Sequence, residues 1–116
     1  MFDLPTSFVN YVHMSIPIAK VYGTDLSGIQ LASEFRRTIV QFIDNGYNVE
    51  VNFEGVRTIT NGWTRNVFGV LIHEKGDNYF MKHIKLSNMS DYVRTKILEG
   101  IRQVNNFYAE NERKIK

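Results

Sequence analysis

Between Tyr47 and Glu54 the side chains alternate without interruption, with Tyr47, Val49, Val51 and Phe53 on one set of positions and Asn48, Glu50, Asn52 and Glu54 on the other. Successive side chains of a strand point to opposite faces, so this order specifies a strand with one packed face and one more polar face. On both sides the period changes. Upstream, Leu31, Phe35, Ile39 and Phe42, joined by Ala32 and Ile43, recur at three- and four-residue steps and make one apolar helical stripe. Ser27 stands three residues before Gln30 in a capping-box arrangement, which places the helix start at about Gly28. Gly46, just after Asn45, supplies a left-handed stop. Downstream, Glu54-Gly55 turns the chain, and Val56 and Ile59 lead to a second helix carrying Trp63, Val67, Val70 and Leu71, which Gly76 ends.

The remaining segments follow the same logic with weaker signals. From Met14 to Tyr22 two alternations compete, Met14/Ile16/Ile18 and Ala19/Val21, with Pro17 between them, as expected of an edge strand or a bulge. After a linking stretch from Asp77 to Lys82, Ile84 and Leu86 mark a short strand, with Ser87 and Asn88 as turn residues. A third helix is expected from about Ser90, its stripe being Val93, Ile97, Ile101 and Val104 with Gly100 beside it. Strands alternating with helices imply an α/β fold, a mixed or largely parallel four-stranded sheet with about three helices packed against it. The expected organisation is an N-terminal arm or extra strand over residues 1–13, a single domain over 14–106, and a frayed charged tail over 107–116.

Composition removes several classes of chemistry. A chain of 116 residues, 43% hydrophobic and with eight Phe, six Tyr and one Trp, supports one real core. The absence of cysteine excludes a disulfide framework, a thiolate nucleophile and sulfur-ligated zinc. No run approaches the roughly 18 apolar residues of a membrane span, and Met1-Phe2-Asp3-Leu4-Pro5 lacks the zones of a signal peptide, so a cytoplasmic protein is expected. His13, His73 and His83 lie far apart without a carboxylate or a second His at helical ligand spacing, so no metal is expected. No nucleophile elbow is present, and Asp25, Glu54 and Asp77 are isolated carboxylates without paired geometry for acid-base work. The turn from Gly23 to Gly28 lacks the spacing of a phosphate loop. These readings point to a protein without a catalytic centre or cofactor.

Charge is distributed unevenly: residues 1–56 carry three Lys/Arg against six Asp/Glu, and residues 57–116 carry eleven against six. The basic half offers Lys82, Lys85, Arg94, Arg102, Arg113 and Lys114 as candidate phosphate contacts for an electrostatic nucleic-acid-binding protein. No helix-turn-helix, zinc-finger or aromatic stacking motif accompanies them.

The segment from Val51 through Phe53-Glu54-Gly55-Val56, Thr60-Asn61-Gly62-Trp63 and on to Gly69 resembles the STAS domains, named for sulfate transporters and anti-sigma-factor antagonists. In these a strand, a Gly-Val turn and a small polar loop lead directly into a helix. The pieces Ile18-Ala19-Lys20, Ser33-Glu34-Phe35-Arg36 and Ile84-Lys85-Leu86-Ser87 extend the resemblance over residues 16 to about 104. It is closer to the bacterial and phage STAS-like domains of unassigned function than to the antagonists.

The resemblance implies a non-catalytic adaptor or regulator that binds a protein partner through the loop and helix around residues 60–72. The contacts expected are Thr60, Asn61, Gly62, Trp63, Thr64 and Arg65. In signalling STAS domains the loop reads close to Asp-Ser-Ser-Gly, and a partner kinase of the GHKL ATPase type phosphorylates its serine. Here Asn61 or Gly62 takes the serine's place, leaving Thr60 and Thr64 as candidate phosphorylation sites. The competing role for Thr60 and Asn61 is helix capping. Trp63 similarly has two readings, a partner-binding anchor or a core residue of the helical stripe. The implied partner is a GHKL-type ATP-binding protein; a phage-encoded inhibitor of a host or defence complex is the alternative within the binding class.

Overall fold

The alternating segment is the central strand of a three-stranded parallel sheet. The computed structural model describes residues 10–115, with side-chain surroundings through residue 112. Strand β1 is Val12–Pro17, β2 Asp25–Leu26, β3 Tyr47–Asn52, β4 Thr58–Ile59 and β5 Ile84–Ser87. Helix α1 is Ile18–Tyr22, α2 Ile29–Asp44, α3 Asn61–Thr64, α4 Val70–Lys75, α5 Asp77–His83 and α6 Asp91–Ile115, with a π-helical segment, Arg65–Gly69, joining α3 to α4. The sheet order is β1-β3-β5, and β2 pairs with β4 separately. All three pairings are parallel, Val12 standing opposite Tyr47, Val49 opposite Ile84 and Asp25 opposite Thr58.

The fold class is therefore α/β and parallel, but the expected four-stranded sheet is a three-stranded sheet and a separate two-stranded pair. The pair is joined by an ion pair across its outer surface: Arg57 Nη2 lies 2.7 Å from Asp25 Oδ2, and Thr58 Oγ1 donates to Asp25 Oδ1 at 2.7 Å. Hydrogen bonds from Arg57 first, and from Thr58, hold the Asp25 carboxyl down to about 2.

The core lies on the helix-covered side of the sheet. Val49 and Val51 of β3 meet Ala32, Phe35, Ile39 and Ile43 of α2, all buried. Removing each such large side chain from water contributes on the order of 1.5–3 kcal/mol. The expected α2 stripe is rotated slightly: Ile43 is buried, while Leu31 is exposed and Phe42 half-buried. The other face of β3 is polar and tied together by side chains. Ser87 Oγ donates to Glu50 Oε2 at 2.6 Å, His13 Nε2 lies 3.1 Å from Glu50 Oε1, and Asn88 Nδ2 donates to Asn52 Oδ1 at 3.0 Å. The Ser87 hydrogen bond foremost, with the charges of Lys85 and His13, lowers the Glu50 pKa.

Several sequence expectations are corrected. The capping box does not form, because the helix begins at Ile29 with Gly28 as its N-cap and no side-chain cap bond, which puts Ser27 one position too early. The alternation at Ala19/Val21 is not strand: β1 ends at Pro17, which has no amide donor to continue a ladder, and Ile18–Tyr22 coils into α1. The linking stretch from Asp77 is the helix α5. The expected frayed tail is helical, since α6 runs to Ile115. Tyr108 continues its buried stripe four residues after Val104 and stacks on His73 at 3.5 Å between ring centroids. Residues 109–114, rich in Ala, Glu, Arg and Lys, favour helix intrinsically. Of the expected N-terminal arm, Val12 and His13 belong to β1, and residues 1–9 lie outside the described residues.

Candidate functional site

The loop that leads from β4 into α3 is built around a helix cap. Thr60 has extended backbone angles, φ −83 and ψ 156, and its Oγ1 accepts a hydrogen bond from the Trp63 amide at 3.2 Å. That is the capping arrangement, with the hydroxyl oxygen as acceptor. Thr60→Ala is expected to cost about 1 kcal/mol of unfolding free energy, read as a shift in the urea midpoint, while leaving the fold unchanged.

The six expected contact residues divide between surface and interior. Thr60 and Arg65 are exposed, Asn61 and Gly62 half-buried. Trp63 is 1% exposed, packed against the rings of Tyr22 and Phe35 with centroids at 6.4 and 5.6 Å, so its indole offers a partner no surface. Thr64 is fully buried and its hydroxyl donates to the Asn61 carbonyl at 3.0 Å. Asn61, standing where the signalling domains carry serine, has a buried Oδ1 without a hydrogen-bond partner.

Beyond this junction the helix widens into the π segment, a feature frequent at functional sites. Side chains take up carbonyls on both sides of the junction: Asn66 Nδ2 donates to Gly62 O of α3 at 2.8 Å, and the Arg36 guanidinium donates to Asn66 O of the π segment. Helix α6 crosses this segment at very close range because two glycines meet there. A Cβ on Gly100 would lie 2.1 Å from Thr64 Oγ1, and one on Gly69 2.5 Å from Val104 Cγ2. Farther along, the two helices part and leave a groove of about 380 Å³. Arg65, Asn66 and Val70 form one wall, and Gln103, Phe107 and Tyr108 the other. Arg65 Nη1 donates to Gln103 Oε1 at 2.8 Å across it, and Phe107 is 59% exposed at its edge.

The other candidates are spread over the molecule. Lys82 and Lys85 line a shallow cavity of about 190 Å³ with His13 and Asn48, while Arg94 and Arg102 stand exposed on α6. The Arg113 and Lys114 side chains lie outside the described residues. Asp25 is engaged by Arg57, and Glu54 and Asp77 are exposed on separate segments. His83 is buried, with Nδ1 2.8 Å from Asn48 Oδ1 and its ring between Tyr11 and Tyr79; burial first, then the Lys82 charge, pushes its pKa down. Among the described residues no three His, Asp or Glu converge as metal ligands, and no helix is long and apolar enough to cross a membrane.

Sequence reasoning missed Gln103, Phe107 and Tyr108. Phe107 and Tyr108 follow Val104 by three and four residues, so the helical period could have carried the stripe past Asn106.

Parallel strands joined through helices, with a polar loop capping the helix after β4, define the class: a small α/β domain. A family model described as STAS-like domain of unknown function (DUF4325) matches residues 32–94, more than half of the chain, and the chain belongs to that family. The matched stretch runs from α2 into the first turn of α6 and contains the whole junction from Thr60 to Arg65. No curated protein and no solved structure matches the chain.

Proposed function

We propose that this STAS-like domain is a non-catalytic protein-interaction module that docks a partner in the groove between the π segment and α6, with Arg65 at the point where groove and loop meet. The observation that carries the reading is the open groove itself, edged by an exposed Phe107 and spanned by the Arg65–Gln103 hydrogen bond. Large aromatic and arginine side chains are the residues that most often dominate binding energy. The contact set of the sequence reading shifts accordingly: Arg65 stays as a groove residue, Thr60, Asn61 and Gly62 keep surface in the loop that leads to it, and Trp63 and Thr64 are buried. The family resemblance supplies the partner class, a GHKL-type ATP-binding protein, whose acidic or amide groups Arg65 would take.

The test is binding of such a protein, measured by calorimetry with the unmodified domain and with Phe107→Ala and Arg65→Glu. Each substitution is expected to weaken binding at least about tenfold, or about 1.4 kcal/mol, because truncating an interface anchor typically costs that much or more. Both side chains are exposed, so the melting temperature should hardly move. Unchanged affinity in both variants would remove the groove from the function.

A further inference from the structure

Strand β1 is an edge of the sheet, and its outward hydrogen-bonding groups are open among the described residues. The Val12 amide donates to Gly46 O at 2.9 Å, and Val12 stands opposite Tyr47, so the backbone groups of Val12, Met14 and Ile16 point to β3. Those of His13, Ser15 and Pro17 therefore point away from the sheet, and only Pro17 lacks a donor. Edges of this kind are usually blunted by lysine or other charged side chains. β1 carries no Asp, Glu, Lys or Arg.

Beside this edge runs an apolar groove of about 230 Å³, formed by Ile16, Val21, Tyr22, Phe35, Thr38 and Phe42. Val12 at 60% exposure and Val21 at 58% flank it, and Leu31, 46% exposed, lies on the same side of α2, four residues before Phe35. The α2 stripe is thus wider than the core beneath it requires. A free strand edge and an apolar groove along it together fit an added strand: the edge supplies backbone hydrogen bonds, the groove a place for alternate side chains.

We propose that the occupant is a second copy of this chain, paired antiparallel through β1 about a twofold axis at Met14, so that two three-stranded sheets become one of six strands. The edge is self-complementary in this register. His13 and Ser15 of the second copy exchange both hydrogen bonds, and the twofold axis repeats the exchange. Met14 faces Met14 of the second copy, and Val12 faces Ile16 of the second copy, covering the exposed valine. No like charges on β1 oppose the pairing, and Pro17, the one position without a donor, falls at the rim.

Because the chain has no cysteine, single cysteines report the register directly. In antiparallel pairs the non-hydrogen-bonded positions stand about 4.5 Å apart between Cα atoms, within reach of a disulfide, which fails beyond about 7 Å. Light scattering on the unmodified chain at about 100 µM should give twice 13.5 kDa. On mild oxidation Met14→Cys should cross-link at least tenfold faster than Ser15→Cys, although Ser15 is exposed and Met14 half-buried. Ser15→Pro removes only an outward donor and should raise the dimer dissociation constant at least tenfold without changing the circular dichroism spectrum; Val12→Lys, which adds charge at the edge, should do the same. A monomer at that concentration, a dimer indifferent to both substitutions, or faster cross-linking through Ser15→Cys would overturn the proposal.

Discussion

Gly100→Ala is expected to destabilise the domain by about 3 kcal/mol, at the upper end of what overpacking a close-packed interior costs. A Cβ at this position would lie 2.1 Å from Thr64 Oγ1, 2.7 Å from Thr64 Cβ and 2.9 Å from the Arg65 amide nitrogen. The first contact involves a side-chain atom, but the last is backbone of the π segment, and neither can yield without moving a helix. Thr64 is itself fully buried and bonded to Asn61 O. The helical propensity of alanine acts in the opposite direction, favouring it over glycine by about 1 kcal/mol in a helix interior. The sign of the measured change therefore decides which effect governs the position. Urea unfolding with an unchanged m-value is the appropriate measure. Adding Thr64→Ala should restore part of the loss, because it removes the hydroxyl and leaves the clashes with the Cβ of position 64 and with Arg65 N; the two changes are in contact and should not be additive. A stable Gly100→Ala protein would mean that α6 does not cross the π segment as closely as the structure has it.

That crossing also shows where sequence pattern stops being informative. The strand from Tyr47, the α2 stripe and the third helix were legible because each repeats its own period long enough to be distinguished. The two-residue strands β2 and β4 contain a single period, too little to repeat, and their pairing is accompanied by Asp25 meeting Arg57 and Thr58, contacts that span more than thirty residues. Gly100 could be read as an interruption in a helical stripe, but only the arrival of Thr64 on the opposite helix gives it a reason. For the site, the loop Thr60 to Arg65 was found by resemblance and its capping threonine by residue type. The groove was not, since its second wall lies in residues whose polar neighbours hid the continuing stripe. Two elements distant in sequence make that groove, and periodicity within each says nothing of where they part.

Trp63→Ala is expected to cost about 3–5 kcal/mol, the range for truncating a buried large aromatic side chain. Small domains are stable by only about 5–15 kcal/mol, so this variant should lie near its unfolding threshold at room temperature. Trp63 is 1% exposed, is the only tryptophan, and packs against both Tyr22 and Phe35, which also touch each other. Its intrinsic fluorescence should accordingly be protected from iodide in the native protein and become quenchable in urea. The discriminating variant is Trp63→Phe, which keeps an aromatic ring against Phe35 and loses only part of the volume. If the residue acts as core, stability and partner binding should fall together in Trp63→Ala and recover together in Trp63→Phe. If it acts as an anchor, Trp63→Ala would keep its melting temperature and lose binding alone. The buried geometry favours the first pattern: with the indole enclosed, Thr60, Asn61, Gly62 and Arg65 are the loop residues left with surface for the proposed interface, and Trp63 packs beneath the first turn of α3.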